Sequence, residues 1–189
     1  MNNKIKYWFH ACRHKTLTGA AVPVSIASAC ACADGCFKWD MAVMCLLFAF
    51  GMQICSNLIN DLFDYLKGSD REDRLGPQRA CSQGWLTPKE MKVGIMVSVA
   101  ISCAIGLGIL YISIPYVNYK GIELVAVGVS CVLFAYLYTS ILSYKGWGDI
   151  LVIVFFGIVP VCTTYYLQAS VVTIPVFLLS LACGFAIDA

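Results

Sequence analysis

NLINDLFDYLKGSDREDRLGPQR, residues 57–79, decides how the rest of the chain is read. It opens as the tail of a long apolar run and turns abruptly polar. Asp61, Asp64, Asp70, Glu72 and Asp73 are five of the chain's eleven acidic residues, and Lys67, Arg71, Arg74 and Arg79 stand among them. At 3.6 residues per turn, Asn57, Asn60, Asp61 and Asp64 fall at i, i+3, i+4 and i+7 and share one helical face. Two carboxylates and two amides on one face, beside several cations, point to a hard divalent ion and a phosphorylated ligand. For residues 70–74 alone, a solvated loop whose charges pair among themselves is an equal reading.

Working outward, the 189 residues are 60% hydrophobic and 13% charged, with mean hydropathy +0.78. Soluble domains carry about 25% charged and about 45–50% apolar residues. The chain is therefore expected to be integral to the lipid bilayer, one all-α transmembrane domain over residues 1–189, with no nucleic-acid partner. No short apolar core with a small-residue cleavage site follows the basic N-terminus, so no removable signal peptide is expected. The eleven cysteines are scattered through apolar runs, and Cys30, Cys32 and Cys36 form no CxxC pair. They read as small packing residues rather than a disulfide or metal framework. His10 and His14 have a zinc-compatible i, i+4 spacing but no third ligand, and read as an interfacial pair.

Charge-free runs occupy residues 16–33, 41–60, 93–119, 124–144 and 150–187. A span needs about 20 apolar residues. The first four runs fit one helix each. The last is too long for one, and it is interrupted by Gln168 and Ser170 and then Pro175. Six transmembrane helices follow, since lipid cannot satisfy open backbone groups. Thr87-Pro88-Lys89-Glu90 reads as an N-cap with proline at the first helical position, starting the third span. Lys4, Lys6, Arg13 and Lys15 lie before the first span, and Lys67, Arg71, Arg74, Arg79, Lys89 and Lys92 between the second and third. Lys145 lies between the fourth and fifth, which leaves Lys38 and Lys120 for the other side. This bias puts the N-terminus and residues 57–79 in the cytoplasm. Trp8, Trp39, Trp85 and Trp147 fall near span ends, as an aromatic belt would.

Asp61 and Asp64 then stand at the cytoplasmic end of the second span. A charge at the bilayer centre costs roughly 2.5–3.5 kcal/mol, less near the interface, and two acids one turn apart also repel. A magnesium ion would compensate them, its shell completed by waters and a diphosphate. Nearby cations could neutralise the remaining phosphate charge. A metal and a diphosphate at a membrane interface suggest transfer of a lipid-like group. Ionisation of an allylic diphosphate leaves a carbocation that aromatic faces can stabilise. Phe63 and Tyr65 beside the motif, and Tyr136, Tyr138 and Tyr144 near the end of the fourth span, are the candidate rings; for any single one, ordinary helix packing is the simpler reading.

At Asn60-Asp61-Leu62-Phe63-Asp64 the chain matches an NDxxD signature and resembles the UbiA superfamily of intramembrane aromatic prenyltransferases. The wording through residue 80, with residues 15–24, 134–140, 144–149 and 154–168, is similar to the MenA branch of that family. The resemblance covers essentially the whole chain. It implies transfer of a polyprenyl group from a polyprenyl diphosphate to 1,4-dihydroxy-2-naphthoate with decarboxylation, giving demethylmenaquinone. It also implies a bacterial cytoplasmic (inner) membrane location and a Mg²⁺ cofactor. By carry-over, Asp61 and Asp64 are the catalytic metal and diphosphate ligands. Asn57 and Asn60 support them, and Lys67, Arg74, Arg79 and Lys145 contact the diphosphate. Asp70 sits where many relatives have a further acid.

The same resemblance implies a second Asp-rich motif and further spans beyond Ala189. The chain is accordingly expected to be the N-terminal part of such an enzyme, with little transferase activity alone. The alternatives are a UbiA-type enzyme with another aromatic acceptor, or an inactive membrane remnant.

Overall fold

The computed structural model describes residues 3–68, 78–137 and 148–189. Their regular structure is all helical, with no strand among them. Helix α1 (Asn3–Ala11) is short and carries the N-terminal lysines. Arg13, at φ 49°, then breaks the helix, and the hydroxyl of Thr16 donates to the Arg13 carbonyl at 2.9 Å. Beyond a single 3₁₀ turn, α2 (Leu17–Ala33) carries the first apolar run, with Pro23 buried inside it.

Helix α3 (Trp39–Lys67) runs well past the apolar stretch and through the whole NDxxD sequence. The shared face expected for Asn57, Asn60, Asp61 and Asp64 is therefore real. Gly68 stops the helix in the left-handed conformation, φ 64°, which glycine adopts without the steric penalty of a Cβ. Helix α4 (Pro88–Ser113) starts as its sequence predicts. The Glu90 amide donates to the Thr87 hydroxyl at 3.2 Å, and the Thr87 amide donates back to the Glu90 carboxylate at 2.9 Å.

Helix α5 (Ile122–Leu137) follows, then α6 (Gly148–Val152), a π-helical turn over Ile153–Ile158, and α7 (Val159–Ala169), these last three continuous. Pro160 has no N–H to offer the carbonyl four residues back. The Cys183 thiol donates to the Phe156 carbonyl, with 3.8 Å from sulfur to oxygen. Ser170, at φ 61°, ends α7, and α8 (Ile174–Asp188) begins with Pro175 in its first turn. The break expected in the long fifth run thus falls where Gln168, Ser170 and Pro175 placed it.

All six expected spans lie on apolar helices. Asn3–Ala33, Trp39–Lys67, Pro88–Ser113 and Gly148–Ala169 are each long and apolar enough to cross a membrane, whereas Ile122–Leu137 and Ile174–Asp188 are shorter. The helices approach closely through small residues, as bilayer packing favours. A Cβ added to Gly157 would lie 2.5 Å from the Ser180 carbonyl oxygen and 2.7 Å from Gly184 Cα.

The end of the bundle away from residues 57–79 is closed by polar contacts. Tyr165 donates to Asp34 at 2.5 Å, and the Lys38 amide donates to the Gln168 side chain at 3.0 Å. Tyr166 donates to Glu123 at 2.8 Å and accepts from the Asn118 amide at 2.9 Å. At the other end, Leu58 and Leu62 of α3, Met91 of α4 and Ala11 of α1 pack with Ala80, Cys81 and Leu86 of the α3–α4 connection. The aromatics follow this division. Trp39 is 77% exposed at the closed end, while Trp85 stacks on Tyr7 with centroids 5.3 Å apart at the other. Trp147 lies outside the described residues.

Candidate functional site

The site is built on the last three turns of α3. Its four motif residues share a face but not an environment. Asn57 is buried, and its amide nitrogen donates to the Cys12 carbonyl at 3.0 Å and the Thr16 hydroxyl at 2.9 Å. It therefore holds the α1–α2 junction against α3. Gln53, one turn earlier, donates to Thr16 at 3.3 Å and to the Asn57 side chain at 3.4 Å. Asn60 is half-buried.

Asp61 is 1% exposed. One of its oxygens accepts the Ala80 amide at 2.8 Å and the other the Cys81 amide at 3.1 Å. These two amides open the turn over residues 80–84, where Gln83 donates to the Arg79 carbonyl and Gly84 to the Cys81 carbonyl. The carboxylate thus serves that turn as an N-cap serves a helix. Cys81 lies against it, and its thiol is pushed up to about 12, by burial first and then by the charge and hydrogen bond of Asp61.

Asp64, one turn on, forms an ion pair with Arg79. The guanidinium side chain is 6% exposed and the carboxylate 18%. The two acids expected to act as a ligand pair are therefore arranged differently: Asp64 borders solvent, and Asp61 is roofed by the loop it holds. Lys67 is exposed, its ammonium 5.8 Å from the Phe63 ring centre, and Phe63 meets Tyr136 edge-on at 5.5 Å. The structure thus brings Asn57, Asn60, Asp61, Asp64, Lys67 and Arg79 to one end of the bundle. Asp70, Arg74 and Lys145, with Tyr138 and Tyr144, lie outside the described residues.

Below this polar end lies an apolar cavity of about 600 Å³ among α2, α3, α4, α5 and the π turn with α7. Gln53 and Ser56 line it on the side of the motif, while Phe134 and Phe155, stacked with centroids 3.9 Å apart, line its wall. Gln53 went unread in the sequence, although its i−4 spacing from Asn57 continues the polar face. Ala80 and Cys81 gave no comparable signal, because they act through backbone amides.

Hard oxygen donors in this number suit magnesium. It takes one or two carboxylates and fills its shell with water and phosphate oxygens, whereas a structural zinc site wants four protein ligands. Among the described residues no cluster of three His, Cys, Asp or Glu side chains forms. Asp64, with Asn60 on the same face, fits the magnesium role, and the oxygens of Asp61 stand one turn behind.

A polytopic helical bundle with an acid-and-amide face over an apolar cavity defines the class: an integral membrane helical protein with a polar site at one end. Comparison with known sequences narrows the class. The UbiA prenyltransferase family matches residues 20–188, and the chain belongs to it. It is 35% identical over 186 residues to the 1,4-dihydroxy-2-naphthoate octaprenyltransferase of Escherichia coli strain K12, covering 96% of this chain and 60% of that relative. It is 36% identical over 191 residues to the enzyme of that name from Haemophilus influenzae, covering 97% and 61%. The counterpart from Mycobacterium tuberculosis is 34% identical over 165 residues, covering 86% and 54%. The chain thus spans about 60% of the length of the first two of these curated relatives.

Proposed function

We propose that the chain binds a polyprenyl diphosphate at the motif end of α3, with the isoprenoid tail in the apolar cavity. The observation that carries this reading is the placement of that cavity. It is about 600 Å³, and its lining reaches Gln53 and Ser56, one turn from Asn57 and Asn60 on the same helix. A hydrocarbon tail in the chamber leaves its charged head at the acids and cations.

The reaction proposed is transfer of the polyprenyl group to 1,4-dihydroxy-2-naphthoate: the bond from the prenyl carbon to diphosphate breaks, a bond to the ring carbon forms, CO₂ leaves that carbon, and the product is the quinol, demethylmenaquinol, at the oxidation level of the acceptor. The three relatives named above support this acceptor. Magnesium, when bound, supplies positive charge that stabilises the departing diphosphate. Asp64 would hold the ion, with Asn60 alongside. Of the expected pair, Asp61 enters as the engaged carboxylate, with only the lone pairs its two amide bonds leave over. Arg79 and Lys67 neutralise phosphate oxygens, and Asp70, Arg74 and Lys145 are proposed to join them. Phe63 and Tyr136 present π faces beside the bond that breaks.

We further propose a bacterial cytoplasmic membrane location, with this site facing the cytoplasm. Supporting that orientation, Lys38 and Lys120 are the only cations among the described residues that fall in connections at the closed end. The test is photolabelling of membranes that contain the chain, using a diazirine-bearing polyprenyl diphosphate and magnesium. Adducts on the peptides carrying Gln53, Phe134 and Phe155, lost with excess unlabelled diphosphate, are expected. Labelling confined to the lipid-facing side chains of α4 and α8 would refute the tail placement.

A further inference from the structure

We infer that Asp61 is a positioning residue, whose buried carboxylate fastens the returning α3–α4 connection at Ala80 and Cys81 and so seats Arg79 against Asp64. This inference concerns the site proposed above but stands on geometry alone. Each Asp61 oxygen accepts one backbone amide, at 2.8 and 3.1 Å. The residues they hold are among the most enclosed of the connection, Ala80 at 1% and Cys81 at 3% exposure, packed on Leu58, Leu62 and Met91.

The spacing does the rest. Asp61 and Asp64 are separated along the helix axis by about 4.5 Å, three residues at 1.5 Å each. Arg79 precedes Ala80 by one Cα–Cα step of about 3.8 Å. Fixing Ala80 over the first acid therefore brings Arg79 over the second, and the Arg79–Asp64 ion pair is found there. An oxygen offered to an ion must also be reached from solvent, and Asp61 is covered by the segment it fastens. The motif thus divides its labour. Asp64 faces the ligand, and Asp61 sets the cation that stands opposite it.

The test is deuterium uptake by the amides of Gln83, Gly84 and Trp85 in membranes carrying the whole chain, at one fixed pH. These amides donate to the Arg79, Cys81 and Ala80 carbonyls, so they exchange when the turn is released and not when the Asp61 charge alone is lost. Uptake on α3 around the buried Cys45 and Cys55 reports whether the bundle itself has opened. Asp61→Ala is expected to raise uptake in the turn at least tenfold with α3 unchanged. Asp61→Asn, which keeps one acceptor oxygen, should fall between it and the unaltered chain. Asp64→Ala should leave the turn within twofold of the unaltered rate, because Ala80 and Cys81 remain fastened.

An unchanged rate in the turn in Asp61→Ala, or an equal rise in Asp64→Ala, overturns the inference. Should Asp61→Ala also raise uptake on α3 around Cys45 and Cys55, Asp61→Asn decides. A rise in the turn alone supports the inference, and any other pattern overturns it. None of these rates depends on bound diphosphate, so the outcome is read apart from the proposed function.

Discussion

Removing the Asp64 carboxylate should release the Arg79 guanidinium while the backbone at Ala80 and Cys81 stays fastened to Asp61. In the folded chain the Arg79 side chain is 6% exposed and paired with Asp64. Deleting one partner of a fully buried pair costs about 3–5 kcal/mol, because the other charge stays in the interior. Asp64 is 18% exposed and borders solvent, which reduces the effect to about 2 kcal/mol of side-chain release free energy. Reaction of the guanidinium with phenylglyoxal follows its released population, so Asp64→Ala should be modified at Arg79 about 30-fold faster. Intact protein in nanodiscs would be treated briefly and modification at Arg79 followed by mass spectrometry, with added N-acetylarginine as the reference for reagent activity. An Asp64→Ala chain modified at Arg79 no faster than the unaltered one would show that the ion pair does not hold the guanidinium.

Other consequences follow from neighbouring contacts. Gly157→Ala puts a methyl group 2.5 Å from the Ser180 carbonyl oxygen. Overpacking of this kind costs about 1–3 kcal/mol, and the midpoint of thermal inactivation or aggregation in detergent should fall. Asn57→Leu removes the donors to the Cys12 carbonyl and Thr16 hydroxyl. Leaving buried acceptors unmatched costs about 1–3 kcal/mol, so tryptic cleavage at Arg13 and Lys15 should accelerate. Cys81, raised to about 12 and buried, stays a protonated thiol at pH 8. It should react with iodoacetamide far more slowly than the exposed Cys32.

Much of the fold is legible in the chain because helices announce themselves locally. The charge-free runs, the Thr87–Glu90 capping pair and the break near Ser170 are written in residue types a few positions apart, and each stands where it was expected. The face of Asn57, Asn60, Asp61 and Asp64 follows from helical period alone. What that face touches does not. Asp61 meets backbone amides 19 and 20 residues later, and Asn57 meets a backbone carbonyl 45 residues earlier. Backbone groups are the same in every residue, so no sequence pattern marks them. Cys183 is a similar case: its thiol meets the Phe156 carbonyl 27 residues earlier, another backbone group. The acids therefore read as an equivalent pair in sequence and become unequal only when the loop is placed.

The central claim, that the motif end of α3 binds a polyprenyl diphosphate through a divalent ion at Asp64, is tested most directly by equilibrium binding. A fluorescent polyprenyl diphosphate would be titrated onto the chain in nanodiscs with magnesium and with chelator. The account predicts saturable binding that requires magnesium and is lost in Asp64→Asn, a change that keeps the side chain's shape and a hydrogen-bond acceptor for Arg79. Binding of equal affinity in chelator, or undiminished in Asp64→Asn, would contradict it.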